Sequence, residues 1–249
     1  TATRTSTSTS ETKETKRSKS IAAKEDKRIQ KLQRRAEDEA MSKRAKEVIT
    51  ELEDLFQEKQ RDMSGILARL RMLCTDFGTS NSSNDIRSIT SRQEFLDYKM
   101  VWAGSDAAVC HVGTGLHKVP LARLQEVFLS IGKKRVEINE VIRILGPFPN
   151  VKNMLQGNVK VSVGGGESVL TFTYSSMIDG TGKELSAAGS EQRKVDLKVL
   201  YAADQAIVCT TSIDDDGAAD YFESDNGASL LVFFREKDLD GELDALRVL

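Results

Sequence analysis

The chain of 249 residues holds only three prolines, three cysteines, two histidines and one tryptophan. The cysteines, Cys74, Cys110 and Cys209, are widely and irregularly spaced. That excludes a disulfide framework and a zinc pattern, and they read as reduced thiols, two of them inside apolar strands. The histidines, His111 and His117, adjoin Cys110 at a spacing that fits neither a common metal set nor a nucleophile–base pair. No apolar run approaches the ~18–20 residues a membrane-spanning helix needs. The longest, such as Leu230 to Phe234, are strand-sized. Proline is absent from residues 21–74, and glycine occurs there once, at Gly65.

Charge is present in quantity but unevenly placed. Residues 1–35 carry eleven Lys and Arg against four Asp and Glu, whereas the remainder is acidic. A basic arm suits an acidic protein surface, anionic lipid or nucleic acid. The acidic remainder argues against nucleic acid for the main domain. The opening TATRTSTSTS is rich in Thr and Ser, contains Arg4 and has no acid. It resembles the end of an organellar transit peptide, so import into an organelle is expected.

Four segments follow from the pattern. Residues 1–20 have no apolar period and read as a disordered basic tail. Residues 21–77 are dominated by helix formers. The first half of that stretch is polar nearly all round, with only Ile29, Leu32 and Met41 as larger apolar groups. Such a helix has little of its own to bury and lies on a partner or in solvent. Arg28, Lys31, Arg34 and Arg35 are its candidate partner-binding residues. In the second half Val48, Leu52, Leu55, Phe56, Leu67 and Leu70 form a stripe that docks on something, with Gly65 as the expected break. Residues 78–94 are polar and read as a linker.

From residue 95 to 249 the period changes to two. Val136, Ile138, Ile142 and Ile144 fall on one face of a strand, as do Val159, Val161 and Val163, then Leu170, Phe172 and Tyr174, then Val195, Leu197, Val199 and Tyr201. Alternation of this kind marks antiparallel strands with one face buried. Gly164-Gly165-Gly166 and Ala202–Gln205 are expected turns, and Asp225-Asn226-Gly227 signals a hairpin between Tyr221–Glu223 and Leu230–Arg235. Pro120–Ile131 suits either a short helix or a strand. Seven or more short strands make a barrel or a sandwich. The fold class expected is therefore mainly β with an α extension.

Gly113-Thr114-Gly115 lacks the Lys-Ser/Thr of a phosphate loop and the third glycine of a dinucleotide fingerprint, so it reads as a tight turn. Asp214-Asp215-Asp216-Gly217 lacks the alternation and closing Glu of a calcium loop and reads as a solvated acidic turn. The run Val141-Ile142-Arg143-Ile144-Leu145-Gly146-Pro147-Phe148-Pro149-Asn150-Val151 is more distinctive: a strand that ends in Gly, Pro and an aromatic before the next strand begins.

This corner resembles the plastid lipid-associated protein (fibrillin) family. So, in order, do Tyr98–Ser105 with its tryptophan, Leu124 to Ile131, and the closing Tyr221-Phe222-Glu223, Asn226-Gly227 and Leu231–Glu236. The resemblance spans about Phe95 to Glu236. It implies an antiparallel lipocalin-like β barrel after a long N-terminal helix, in a plastid, at thylakoids or plastoglobules or in the stroma. It implies no catalytic residues, and a hydrophobic ligand or membrane lipid surface: a lipid, carotenoid or prenylquinone. Candidate lining residues are the inward-facing Trp102, Ile138, Ile142, Val161, Leu170, Phe172, Tyr174, Leu197, Val199 and Phe233. No metal site, nucleic acid or other cofactor is expected. The alternative is an accessory subunit of a large plastid (photosynthetic) complex, tethered through the N-terminal helix to a protein partner.

Overall fold

The structure is a computed structural model that describes residues 11–58, 62–78, 82–164, 167–186, 192–213, 221–222 and 226–247. The chain divides into two compact units, residues 1–47 and 48–249, and the division falls inside helix α1 (Glu11–Gln57). Helix α1 begins inside the stretch read as a tail, of which residues 1–10 lie outside the described residues.

In the second unit, the last turns of α1 bury Val48, Ile49 and Leu52, one face of a helix. Helix α2 (Met63–Phe77) buries Ile66, Leu67, Leu70, Leu73 and Cys74 on the same spacing. The helical segment is thus interrupted before Met63, and not at Gly65, which lies in the first turn of α2 against the Asp62 side chain. The expected linker is also corrected. Helix α3 (Ser82–Ser91) occupies it, because Ile86 and Ile89, three residues apart, drop into the core.

Nine strands follow: β1 (Leu96–Ala103), β2 (Ala122–Gly132), β3 (Arg135–Ile144), β4 (Val151–Gly164), β5 (Glu167–Ile178), β6 (Glu184–Ser186), β7 (Arg193–Ala202), β8 (Ala206–Thr210) and β9 (Leu230–Glu236). They form one antiparallel sheet in the order β4-β3-β2-β1-β9-β8-β7-β5-β6, and an added β4–β5 pairing joins its two sides into a ring. Residues Ser168–Tyr174 of β5 pair with β7, and Ser176–Ile178 beyond them pair with β6. Closure removes most of the unpaired backbone edge a sheet would otherwise expose.

Pro120–Ile131 resolves as the tight turn Val119–Leu121 followed by β2. The hairpin expected around Asn226-Gly227 is not formed as read. Both residues take positive φ, but β9 pairs with β8 and β1, and Tyr221–Phe222 are in a turn. Helix α4 (Asp106–Val112), capped by the Ser105 hydroxyl accepting from Ala108 N, contributes Ala108, Val109 and Val112 to the interior. Helix α5 (Leu239–Ala245) covers Phe128 and Val141 on the outside of the ring with Leu243. No helix among the described residues is long and apolar enough to cross a membrane.

Candidate functional site

The interior of the ring is one apolar cluster. Ile138, Leu170, Phe172, Tyr174, Leu197, Val199 and Phe233 meet there, and Val161 packs against them. Helix α3 supplies Ile86 and Ile89, and α4 supplies Val109 and Val112 to the same cluster. Ile142 is buried and, by register on β3, shares the face of Val136 and Ile138.

Trp102 is a correction. The β1–β9 register shifts between Met100 and Trp102, a β-bulge that leaves Val101 as the extra residue. Met100 therefore pairs with Phe233, which faces in, whereas Trp102 pairs with Val232, which faces out. The indole is still buried, on the outer face, where Gly227 fits between it and Leu67 of α2.

A polar network sits where α4 meets the strands. Glu140 takes an inward position in the alternation of β3 and is fully buried. It accepts from the Thr114 backbone N–H at 2.9 Å and from the Thr114 hydroxyl. Arg193, at the start of β7, donates to the carbonyls of Cys110 (2.7 Å), His111 (2.6 Å) and Gly113. The Tyr174 hydroxyl donates to Val112 O at 2.9 Å. A guanidinium and a hydroxyl thus satisfy the orphan carbonyls at the end of α4. Burial pushes the Tyr174 phenol well above its usual range, partly offset by Arg193. These contacts explain the Gly113-Thr114-Gly115 motif as the anchor of a plug. Sequence reading missed Glu140 and Arg193; the signal for Glu140 was an acid on the inward side of an apolar alternation.

His117 is buried on the 3-10 turn Leu116–Lys118, its Nε2 3.7 Å from Cys110 Sγ, and its Nδ1 has no hydrogen-bond partner. Cys110 lies on α4 and is half-buried; Cys74 lies on α2, so of the three free thiols only Cys209 is in a strand. Burial pushes the Cys209 thiol up to about 12 and raises Cys74 further. Among the described residues no three His, Cys, Asp or Glu side chains converge as metal donors.

Outside the ring, a cleft of about 690 Å³ lies between the last turns of α1 (Glu53, Phe56, Gln57) and strands β1, β2 and β9. Phe56 meets Phe234 at 5.8 Å between ring centroids. Lys99 is held by Glu126 at 3.2 Å and Glu242 at 3.3 Å. Burial lowers its pKa, but the two carboxylates outweigh that and leave it raised.

In the first unit Arg28, Lys31 and Arg35 are exposed, as are Ile29, Leu32 and Met41; the Arg34 side chain lies outside the described residues. So do Asp214–Gly217. No protein-family model, curated protein or solved structure matches this chain.

Proposed function

We propose that this chain is a non-catalytic docking protein, in which a filled β ring is the rigid platform and the exposed part of α1 is the element that engages a protein partner. One observation carries the reading. Every described side chain from Arg28 to Arg44 is exposed, including Ile29 at 48% and Leu32 at 57%. A helix that is polar nearly all round and exposes its few large apolar groups lacks an internal reason to be helical, and a partner supplies one. The surplus of positive charge in residues 1–35 favours an acidic partner surface.

The ring is then a lipocalin-like barrel of the plastid lipid-associated kind, whose candidate lining residues serve as core. The chain is an accessory subunit of a large plastid assembly. Packing supports this over a carrier role: the residues that would contact a carotenoid or prenylquinone contact one another instead.

The test compares the full chain with Arg28→Glu/Lys31→Glu/Arg35→Glu and with a form lacking residues 1–45, by quantitative co-purification from the source organelle. Association is expected to be lost in both. Unchanged association overturns the helix as tether, and a stoichiometric isoprenoid in a solvent extract of the purified chain restores the carrier reading.

A further inference from the structure

We infer that the end of the ring closed by α4 is a docking surface for an anionic lipid bilayer, separate from the helix that engages a protein partner. At this end β1 finishes, β2 begins, β3 finishes, β4 begins and β5 finishes. The registers bring the connections together. Ala122 pairs with Ile144, Leu145 N donates to Leu121 O at 2.8 Å, and Ile142 pairs with Val151.

The two connections, Val119–Leu121 and Leu145–Asn150, present large apolar side chains to solvent. Leu121 is 65% exposed, Phe148 54%, Val119 53% and Leu145 42%, with Leu116 beside them at 40%. Apolar residues scattered singly over a surface need no explanation, but a cluster does. The cluster is also stiffened. All three prolines of the chain, Pro120, Pro147 and Pro149, lie in these two connections. Leu121 holds φ of 70°, an uncommon conformation for a non-glycine residue, with its side chain in water. Strain retained to expose a leucine points to a use for the leucine.

Charge identifies the occupant. Arg123 of β2 and Arg143 of β3 are directly opposite one another in the ladder, both exposed. Like charges so placed repel, and among the described residues neither has a hydrogen bond or an ion pair. An anion between the two guanidinia removes the repulsion. Lys118 is exposed nearby on the 3-10 turn. The neighbouring acids are engaged: Glu140 by Thr114, Asp244 by Arg247 at 3.1 Å, and Asp179 within its own turn. Apolar tips backed by unpaired arginines match the cross-section of a membrane interface, with acyl chains below and phosphates at the level of the guanidinia. A soluble phosphate satisfies the arginines but gives no role to Leu121 or Phe148.

The probe is a vesicle of phosphatidylglycerol and phosphatidylcholine in equal parts, with pure phosphatidylcholine as control, in co-sedimentation with the full chain. The anionic vesicle is expected to bind and the neutral one to bind weakly. Each basic residue at the surface contributes roughly fivefold in affinity, so Arg123→Glu/Arg143→Glu is expected to lose about thirtyfold or more. Phe148→Ser is expected to lose binding as well. Lys31→Glu/Arg35→Glu, on the helix, is expected to keep it. In Phe148→Trp the new indole is expected to shift its emission to the blue on adding anionic vesicles, against a constant background from the buried Trp102. The inference is overturned if the ring-end variants bind as the parent does. It is also overturned if the helix variant abolishes binding, if the emission of the introduced indole stays unchanged, or if inorganic phosphate stabilises the chain while anionic vesicles do not sediment it. All substitutions are at exposed positions, and circular dichroism checks that the fold is intact.

Discussion

Gly113 sits so close to Glu140 that a Cβ built on the glycine falls 1.9 Å from Glu140 Oε1. Its backbone is extended rather than left-handed, so the constraint is room and not conformation. Gly113→Ala is expected to destabilise by about 1–3 kcal/mol through overpacking beside a buried carboxylate. Urea unfolding measures it. Adding Glu140→Asp, which withdraws the carboxylate by one methylene, is expected to cost less than the sum of the single changes.

The three thiols should separate in reactivity. Cys74 and Cys209 are buried with raised pKa values, whereas Cys110 is half-buried beside His117. With an alkylating reagent at mildly alkaline pH, Cys110 is expected to react first in the folded chain, and the other two only on unfolding. Peptide mass spectrometry reads the order; early modification of Cys209 would contradict the packing.

Alkaline pH is expected to unfold the ring. Tyr98, Tyr174 and Tyr201 are held above the normal value of 10.0 chiefly by burial, Tyr201 at about 12. Between 10 and the folded value the native state retains protons that the unfolded chain has lost, so stability falls as pH rises through that window. Lys99 adds a loss of the same sign. Its charge, favoured by Glu126 and Glu242, stabilises fully below 10.5 and fades as pH passes its higher folded value. Tyrosinate absorbance from these three residues is expected to rise together with the loss of circular dichroism, not before it, and Lys99→Met is expected to flatten the decline.

Deleting Val101 is expected to be severe. It removes the extra residue of the bulge and turns Trp102 from the outer face into a filled interior. A period of two offers no compromise. Loss of soluble folded protein, or a drop of at least ~3 kcal/mol in urea unfolding, is expected.

The strands β3, β4, β5 and β7 were legible because each has one face buried and one wet, which writes the fold directly into alternating residues. Trp102 was not, because a bulge breaks that alternation without any mark in residue type. Val101 is as apolar as its neighbours. Helix α3 was hidden by composition. Its Ser, Thr and Asn residues carry the signature of a loop, and only Ile86 and Ile89, through their burial in the ring, make it helical. Among the candidate lining residues the sequence located the interior but not its occupancy, since whether side chains fill a ring depends on which helices enter it. Glu140 and Arg193 became visible only once α4 was placed between them.

The β1–β9 seam has a consequence for synthesis. Strand β1 pairs with β2, which follows it, and also with β9, the last strand made. A chain emerging from the ribosome holds one flank of β1 bare until residue 236 is out, with the free side of β8 waiting for the same partner. Truncation before Leu230 leaves two adhesive flanks together. Such fragments should gather into insoluble material, so premature termination here is a hazard to the cell as well as a loss of product.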